Sequence, residues 1–302
     1  MSKIKIWLKA IRAPFFQAAA IPATVGAVVA WREGVFHLGL FLLTLVGVVC
    51  INGGTNLVND YYDHLSRDDD ITKNITPFSG GSRVIQEGLL SAREVYAGAL
   101  PFFAVALLIG FYLGLTRGVP VLILGALGLF VGYFYTASPL KLGYRGVGEL
   151  LVGVTLGPLA VLGSYYVQAQ RFSLGSFWAS LPIGLLVAGI LYINEFPDYE
   201  PDKAVGKNHL IVRLGPERAV GGYYVILALT YLTIIVGALW GIMPMLALIA
   251  LVTTPIAVKA AGVARVHHSE PQKLIPAMAS TIVLHLSVGL LICLGYILDK
   301  LL

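Results

Sequence analysis

Apolar residues fall into nine blocks along the chain, each close to the length of a helix that crosses a lipid bilayer. A bilayer requires about 20 apolar residues per helix, whereas the strands of a membrane barrel alternate apolar and polar residues over about ten positions. The uninterrupted blocks therefore predict an all-α polytopic membrane protein, a bundle of about nine transmembrane helices. The blocks cover residues 15–31, 36–58, 95–115, 119–136, 147–167, 177–196, 220–240, 242–262 and 276–298.

The composition also favours a membrane protein over a soluble one. Of the 302 residues, 57% are hydrophobic and only 12% are charged, whereas a soluble domain carries about 25% charged residues. So few charges could not cover the surface of a globular chain of this length. Cys50 and Cys293 lie inside apolar blocks and match neither a metal-binding pattern nor a disulfide framework. We expect a single transmembrane domain over residues 1–302.

The basic residues are distributed unequally between the two ends of the predicted bundle. With nine spans, the N-terminus and the connections after spans 2, 4, 6 and 8 share one side, which carries 17 of the 21 Lys and Arg residues. The positive-inside rule places that side in the cytoplasm, so we expect an integral protein of the cell inner membrane with a cytoplasmic N-terminus. The net charge of +5 reflects this topology and anionic lipid headgroups and does not indicate nucleic-acid binding. The basic residues of the other side are Arg32, Arg117, Arg171 and Lys300.

The acidic residues are concentrated in two connections on the cytoplasmic side. Of 16 Asp and Glu residues, 12 lie between positions 60 and 94 or between 195 and 217. Acidic residues contribute little to topology, so their placement needs another cause. Both connections begin with the pattern Asn-acid-aromatic-x-Asp, and the two starts, Asn59 and Asn194, are 135 residues apart. This spacing suggests two related halves, about 1–140 and 141–302.

The spacing within each acidic connection indicates a metal site. Residues four apart on a helix share a face, so Asn59 with Asp63, and Asn194 with Asp198 and Asp202, should each form a column. Clustered carboxylates repel one another unless a cation lies among them, and such oxygen ligands suit Mg²⁺, which is often shared with substrate phosphates. Acids for a metal beside bases for phosphate, at a membrane surface, are the composition that a lipid diphosphate site needs. The basic residues that follow the acids are Arg67, Lys73, Arg83, Lys203 and Lys207.

These motifs resemble those of the UbiA superfamily of intramembrane prenyltransferases. The first connection resembles its N-D-x-x-D-x(n)-D motif, and Asp198 to Asp202 resembles its D-x-x-x-D motif. Residues 135–141, 143–146 and 206–215 look like the branch that prenylates 1,4-dihydroxy-2-naphthoate in menaquinone synthesis. Many members carry the third acid of the first motif where this chain has Arg67. Among the three acids that follow, Asp69 is predicted as the metal ligand, with Asp68 and Asp70 as the alternatives.

The resemblance implies a reaction and a role for each site residue. Two Mg²⁺ ions would bridge a polyprenyl diphosphate, and positive side chains would stabilise the departing diphosphate. The resulting allylic cation would be stabilised by aromatic faces such as Tyr61, Tyr135 or Tyr144 and attacked by an electron-rich aromatic ring, with carboxylate loss in the naphthoate branch. The expected metal ligands are Asn59, Asp63 and Asp69 for one ion, and Asp198 and Asp202 for the other. The expected catalytic residues are Asp63, Asp198, Lys141, Tyr135 and Arg145. Substrate contacts are expected from Asn56, Arg67, Lys73, Arg83, Tyr61, Tyr144, Asn194, Lys203 and Lys207.

Two alternatives remain open at this point. A cation-coupled transporter would also carry acids within a helical bundle. Transporter sites, however, usually lie near the bilayer midplane on interrupted helices, whereas these acids lie at the predicted ends of spans. Within the enzyme interpretation, the acceptor could be another aromatic compound such as 4-hydroxybenzoate or homogentisate.

Overall fold

The computed structural model describes residues 1–68 and 75–302, and these ranges contain helices without a β-strand. Eight helices are long and apolar enough to cross a membrane, and each overlaps one of the predicted blocks, which confirms the all-α class. The block at 119–136 forms a shorter apolar helix of 16 residues. In chain order the helices are α1 (Lys3–Ala10), α2 (Ala13–Arg32), α3 (Leu38–Ser66), α4 (Ala92–Arg117), α5 (Val119–Phe134), α6 (Gly148–Ala169), α7 (Leu174–Asn194), α8 (Tyr199–Ala204), α9 (Leu210–Leu214), α10 (Pro216–Leu239), α11 (Met245–His267) and α12 (Pro271–Leu301).

The helices pack around one large and one smaller buried core. The large core is formed by α2, α6, α7 and α10 to α12, with Tyr165, Ile183 and Tyr223 among its fully buried side chains. The smaller core is formed by α1, α3 and α4, around Leu57 and Val95. Glycine lets α6 and α7 approach closely, since a Cβ atom on Gly157 would lie 2.5 Å from the Cα atom of Gly184. This contact lies near the middle of both helices, which are antiparallel, so the start of α6 lies beside the end of α7, where the acidic motif begins.

Substitution at this contact should destabilise the bundle. Gly157→Ala is expected to lower the free energy of unfolding by about 1–3 kcal/mol, because the added methyl group would overlap the α7 backbone. Gly262→Ala in α11 is the matched control, because nothing lies within 4 Å of its Cβ position, and replacing Gly in an open helix position usually stabilises. Thermal unfolding in detergent compares the two variants. Equal melting temperatures would contradict the close contact.

The two acidic motifs differ in local structure. Helix α3 continues eight residues past the predicted block and ends at Ser66, so Asn59 and Asp63 share a helical face as expected. The predicted column of Asn194, Asp198 and Asp202 is wrong as a continuous helix, because α7 ends at Asn194 and α8 begins only at Tyr199. The physical reason is Pro197, which provides no amide hydrogen and disfavours a helical conformation in the residue before it.

The opposite end of the bundle collects the remaining basic residues. Arg32 pairs with Asp299 at 2.6 Å, and Arg171 pairs with Glu33 at 2.8 Å. Arg117 donates a hydrogen bond of 2.7 Å to the carbonyl of Val167. These contacts join the far ends of α2, α4, α6, α7 and α12, away from the acidic motifs.

Candidate active site

A polar face of α3 lines the entrance to an apolar cavity. Asn56 and Asn59 lie on this face and border the cavity, and Asp63 follows one turn later. Asn56 donates a hydrogen bond of 3.0 Å to the carbonyl of Ile11, and the amide oxygen of Asn59 accepts one of 3.1 Å from Arg12. The N-terminal segment therefore closes over the start of the first motif.

Asp60, the acid next to Asn59, has a structural role. It is 2% exposed, forms an ion pair with Arg12 and accepts a hydrogen bond from the hydroxyl of Ser82. A second hydrogen bond of 3.3 Å comes from the backbone N–H of Ser82. Asp60 thus fastens both the N-terminal segment and the loop after the first motif to α3, and its carboxylate oxygens are already engaged by protein donors.

The ammonium group of Lys207 lies among the carboxylates of both motifs. Its Nζ is 2.8 Å from Asp68 Oδ2 and 3.5 Å from Asp202 Oδ1. Burial disfavours the charged ammonium, but the carboxylates of Asp202, Asp63 and Asp68 outweigh burial and raise the pKa of Lys207 well above its usual range. The two motifs, far apart in sequence, therefore share one permanently charged cation.

Tyr144 connects this cluster to the loop between α5 and α6. Its hydroxyl donates towards Ser66 Oγ at 3.2 Å and towards Asp63 Oδ1 at 3.4 Å. Two ammonium groups lie near its ring, with Lys141 Nζ at 5.0 Å and Lys207 Nζ at 5.6 Å from the ring centroid. Burial, followed by the charge of Asp63, raises the pKa of Tyr144, so the phenol stays protonated as a donor.

Two oxygen atoms of the second motif are free to bind a cation. Asn194 Oδ1 and Asp198 Oδ1 are both buried, and neither has a hydrogen-bond partner within residues 1–68 and 75–302. The Asp198 carboxylate also accepts a hydrogen bond from the backbone N–H of Gly80. Amide and carboxylate oxygens are the ligands that Mg²⁺ prefers, and a buried polar atom without a partner is costly. The residues present therefore fit a divalent cation.

Burial also makes the site responsive to pH. Burial, together with the charge of Asp202, raises the pKa of Asp198 to about 8. Burial likewise raises the pKa of Asp68 to about 7, although Lys207 opposes the shift. For Asp202, burial is outweighed by Lys207 and His209, and its pKa is lowered. In the metal-free protein at neutral pH, protons therefore compete with a cation at Asp198 and Asp68.

We expect the affinity for divalent cations to rise with pH. A carboxyl group whose pKa is raised keeps its proton below that value, and a cation must displace the proton in order to bind. Below pH 7 the affinity should rise by about tenfold per pH unit for each proton displaced, and it should level off above the pKa of Asp198, about 8. Mn²⁺ binding to the detergent-solubilised protein, followed by electron paramagnetic resonance, measures this slope. A flat profile from pH 6 to 9 would contradict it.

The cavity begins beside Asn59 and extends into the membrane-spanning part of the bundle. It has a volume of about 560 Å³ and is bordered by α3 to α6. Its lining is polar near Asn56, Asn59 and Tyr135 and almost wholly apolar beyond them. The backbone carbonyl of Tyr135 accepts a hydrogen bond of 2.8 Å from Gly143. The ring of Tyr135 packs against Gly143 and Gly148 and borders the cavity, within the influence of the charges of Lys207 and Asp63.

Four residues expected in the site lie outside this cluster. Tyr61 packs edge-on against Tyr62 and lies 4.8 Å, centroid to centroid, from Tyr96. Two helical positions separate it from Asn59, a rotation of about 200°, so it faces α4 instead. The side chains of three basic residues are exposed, with Arg145 bonded to the carbonyl of Leu140 and Lys203 above the ring of Tyr199. These three are Arg67, Arg145 and Lys203.

The other predicted residues either lie nearer the carboxylate cluster around Lys207 or fall outside the described ranges. Arg83 is half-buried and follows the loop that bonds Asp198 and Asp60. Asp69 and Lys73 lie outside the residues that the structure describes. Asp68, an alternative to Asp69 as the third acid, is 3% exposed and paired with Lys207.

Three buried residues behind the second motif form a group that is not among the site residues expected from the sequence. Glu149 begins α6, Glu195 follows α7 and His209 precedes α9, and all three are buried. His209 Nε2 lies 2.8 Å from Asp202 Oδ2, and its Nδ1 lies 3.5 Å from Glu195 Oε2. Burial, the charge of Glu149 and a hydrogen bond between the two carboxyl groups raise the pKa of Glu195 well above its usual range. No local spacing in the sequence marks this group.

Known proteins resemble this chain over nearly its full length. A 2-carboxy-1,4-naphthoquinone phytyltransferase from Synechocystis is 31% identical over 97% of this chain and 93% of its own length. A 1,4-dihydroxy-2-naphthoate octaprenyltransferase from Escherichia coli is 30% identical over 99% of this chain and 97% of its own length. Among solved structures, a UbiA homolog from Aeropyrum pernix K1 superposes with a TM-score of 0.68 at 21% identity, covering 96% of this chain and 98% of that one.

A second solved structure carries ligands. A UbiA homolog from Archaeoglobus fulgidus, bound to GPP and Mg²⁺, superposes with a TM-score of 0.61 at 18% identity, covering 95% of this chain and 99% of that one. At these identities the structures establish the fold alone. The profile of the UbiA prenyltransferase family matches residues 19–287, a range that holds both acidic motifs, Lys207 and the cavity. The chain therefore belongs to the UbiA prenyltransferase family and is an integral membrane prenyltransferase.

Proposed function

We propose that this enzyme transfers a polyprenyl group from a polyprenyl diphosphate to 1,4-dihydroxy-2-naphthoate in quinone biosynthesis. The observation that carries the proposal is the meeting of two acidic motifs around Lys207, next to an apolar cavity whose lining includes Asn59 of the first motif. This arrangement suits a molecule with a charged diphosphate head and a long apolar tail. The acceptor is chosen from the relatives, because proteins named for naphthoate or naphthoquinone substrates are about 30% identical over nearly the whole chain.

In this proposal the head of the substrate is held by the polar cluster. Asp63, Asp198 and Asp202, with the amide oxygens of Asn59 and Asn194, would hold divalent cations. Two Mg²⁺ ions are expected, and bound Mg²⁺ supplies Lewis-acid stabilisation of the departing diphosphate. Lys207 donates hydrogen bonds to the diphosphate oxygens as negative charge develops on them, and Lys141 approaches the same region across the ring of Tyr144.

The tail and the reacting carbon are placed by the cavity. The apolar lining holds the isoprenoid chain, so the C–O bond to diphosphate lies near Tyr135 at the cavity mouth. When that bond breaks, its electron pair leaves with the diphosphate, and the faces of Tyr135 and Tyr144 stabilise the allylic cation. A ring carbon of the acceptor then bonds to the cation, and the carboxylate departs as CO₂, leaving its bonding electrons with the ring.

The proposed orientation places the site on the cytoplasmic side. Of the 21 basic residues, 17 belong to the N-terminus or to connections predicted at the same side as the acidic motifs. The contacts of Arg32, Arg117 and Arg171 at the opposite end of the bundle support this division. Cysteine introduced at Lys203 should react with an impermeant thiol reagent only from the cytoplasmic face, and labelling from outside would reverse the orientation.

A competition between acceptors tests the proposed substrate. Purified enzyme with Mg²⁺ and one polyprenyl diphosphate is offered 1,4-dihydroxy-2-naphthoate, 4-hydroxybenzoate and homogentisate together, and products are separated by mass. The prenylated naphthoate, lighter by one CO₂ than the simple adduct, should dominate. If the hydroxybenzoate or homogentisate product dominates, the protein is still a prenyltransferase, but the proposed acceptor is wrong.

A further inference from the structure

Behind Asp202, opposite Lys207, lies a buried chain of three polar side chains. His209 is 0% exposed, and its two ring nitrogens face carboxylates, Nε2 towards Asp202 Oδ2 at 2.8 Å and Nδ1 towards Glu195 Oε2 at 3.5 Å. Glu195 is in turn hydrogen-bonded to Glu149. No step of the proposed reaction uses these three residues directly. Burying two carboxyl groups together costs free energy, which suggests that the arrangement has a function.

The segment around His209 is held in place by backbone contacts. Glu149 Oε1 accepts a hydrogen bond of 2.7 Å from the N–H of Leu210, the residue after His209. One residue before His209, the N–H of Asn208 donates a hydrogen bond of 3.1 Å to the carbonyl of Tyr144. Arg213 spans both loops, donating to the carbonyls of Asn208 at 2.8 Å and of Arg145 at 2.6 Å. The imidazole therefore has little freedom to turn away from Asp202.

The two oxygens of Asp202 consequently have separate partners. Oδ2 faces the imidazole of His209, whereas Oδ1 points into the cluster, 3.5 Å from Lys207. A cation ligand with one oxygen 2.8 Å from a fixed imidazole nitrogen presents its other oxygen in a defined direction. Such outer contacts typically change metal affinity by about 10–100-fold when they are removed.

We propose that His209, held by the Glu149–Glu195 pair, is a positioning residue that fixes the orientation in which Asp202 binds a divalent cation. The inference rests on the proposed function, since it assumes a cation at the second motif. It assigns no proton transfer and no substrate contact to His209. We therefore expect the affinity for the cation to depend more on the direction of the side-chain donor at position 209 than on the volume of the side chain.

Two amide substitutions at His209 distinguish the effect of the donor's direction from the effect of side-chain volume. The amide nitrogen of Gln reaches about as far as Nε2 of His, so His209→Gln can still donate to Asp202. The amide of Asn reaches only as far as Nδ1, so His209→Asn is directed towards Glu195 and leaves Asp202 without its donor. His209→Leu removes both contacts. His285→Leu is the matched control for burial, because His285 is also 0% exposed and lies in the middle of α12, away from the acidic motifs.

Mn²⁺ binding to the full-length protein in detergent, measured by electron paramagnetic resonance without substrate, gives a readout independent of turnover. The dissociation constant for Mn²⁺ should rise by about 10–100-fold in His209→Asn and His209→Leu. It should remain within about threefold of the unaltered protein in His209→Gln and in His285→Leu. Thermal unfolding of each variant identifies any that fail to fold, and the Gln and Asn pair still decides the question if the Leu variant fails.

Three results would overturn the inference. Unchanged Mn²⁺ affinity in folded His209→Asn would make His209 a packing residue, and equal losses in the Asn and Gln variants would remove the directional role. Loss of one bound Mn²⁺ per chain in Glu149→Gln would make the buried group a cation site itself. If the unaltered protein binds no Mn²⁺ at any pH from 6 to 9, the proposed function fails as well, and this outcome is distinct from the other three.

Discussion

Asp198→Asn is expected to lower the rate of prenyl transfer by about 10²–10³-fold, the usual cost of removing one electrostatic contact to a transition state. The substitution keeps the shape of the side chain but removes its negative charge. Asp198 Oδ1 is buried without a partner in the described part of the chain, so the neutral amide still offers an oxygen but no negative charge, and it binds a cation more weakly in this partly desolvated site. The concentration of Mg²⁺ that gives half-maximal activity should also rise.

Glu200→Gln is the matched control for Asp198→Asn. Glu200 lies two residues further along, on α8, and is exposed, so its charge is screened by solvent. This variant should keep its rate within about twofold, since it removes an equal charge from the same segment of the chain but outside the cluster. Equal rates for Asp198→Asn and Glu200→Gln would show that the second motif binds no catalytic cation through Asp198.

Lys207→Met is expected to lower turnover by at least about 10²-fold, because it removes a donor to the developing diphosphate charge. It should also shift the pH profile. The ammonium of Lys207 lowers the pKa of both Asp68 and Asp198, so without it these carboxyls keep their protons to higher pH. Below the new pKa values a cation must displace those protons, and the rising limb of the activity profile should therefore move to higher pH.

The sequence offers a control for Lys207→Met in Lys203, which precedes it by four residues. Both lysines were predicted to contact the diphosphate, but Lys203 is exposed and stacks on Tyr199, with its Nζ 5.4 Å from the ring centroid. Lys203→Met should change turnover severalfold at most and leave the pH profile unshifted. A larger loss in Lys203→Met than in Lys207→Met would show that the substrate approaches from the outer face of α8.

The features that could be predicted from the sequence are those with a period or a fixed spacing. Apolar blocks of bilayer length predicted each long helix, and the four-residue interval between Asn59 and Asp63 placed both on one face of α3. The same rule could have excluded Tyr61, since a residue two positions away points to the opposite face. The break after Asn194 was also accessible, because Pro197 disfavours a continuous helix.

The remaining features depend on contacts between distant segments. Glu149 and Glu195 meet because α6 packs closely on α7 at Gly157 and Gly184, and His209 joins them because the next residue, Leu210, is bonded to Glu149. The pairing of Asp60 with Arg12 likewise depends on the N-terminal segment returning to α3. Side-chain exposure could not be predicted from the sequence either. The basic residues predicted to contact the substrate include both buried and exposed ones. The two-half organisation, about 1–140 and 141–302, stays a prediction.

One measurement tests most directly whether prenyl transfer by this enzyme depends on a divalent cation. Purified enzyme is stripped with EDTA and incubated with 1,4-dihydroxy-2-naphthoate and a polyprenyl diphosphate, before and after Mg²⁺ is added in excess, and the products are read by mass. We predict no product without the cation, and with it a prenylated product lighter by CO₂ than the simple adduct, together with released diphosphate. Full product formation in the EDTA-treated sample, or no prenylated product after Mg²⁺ is restored to folded protein, would contradict the account.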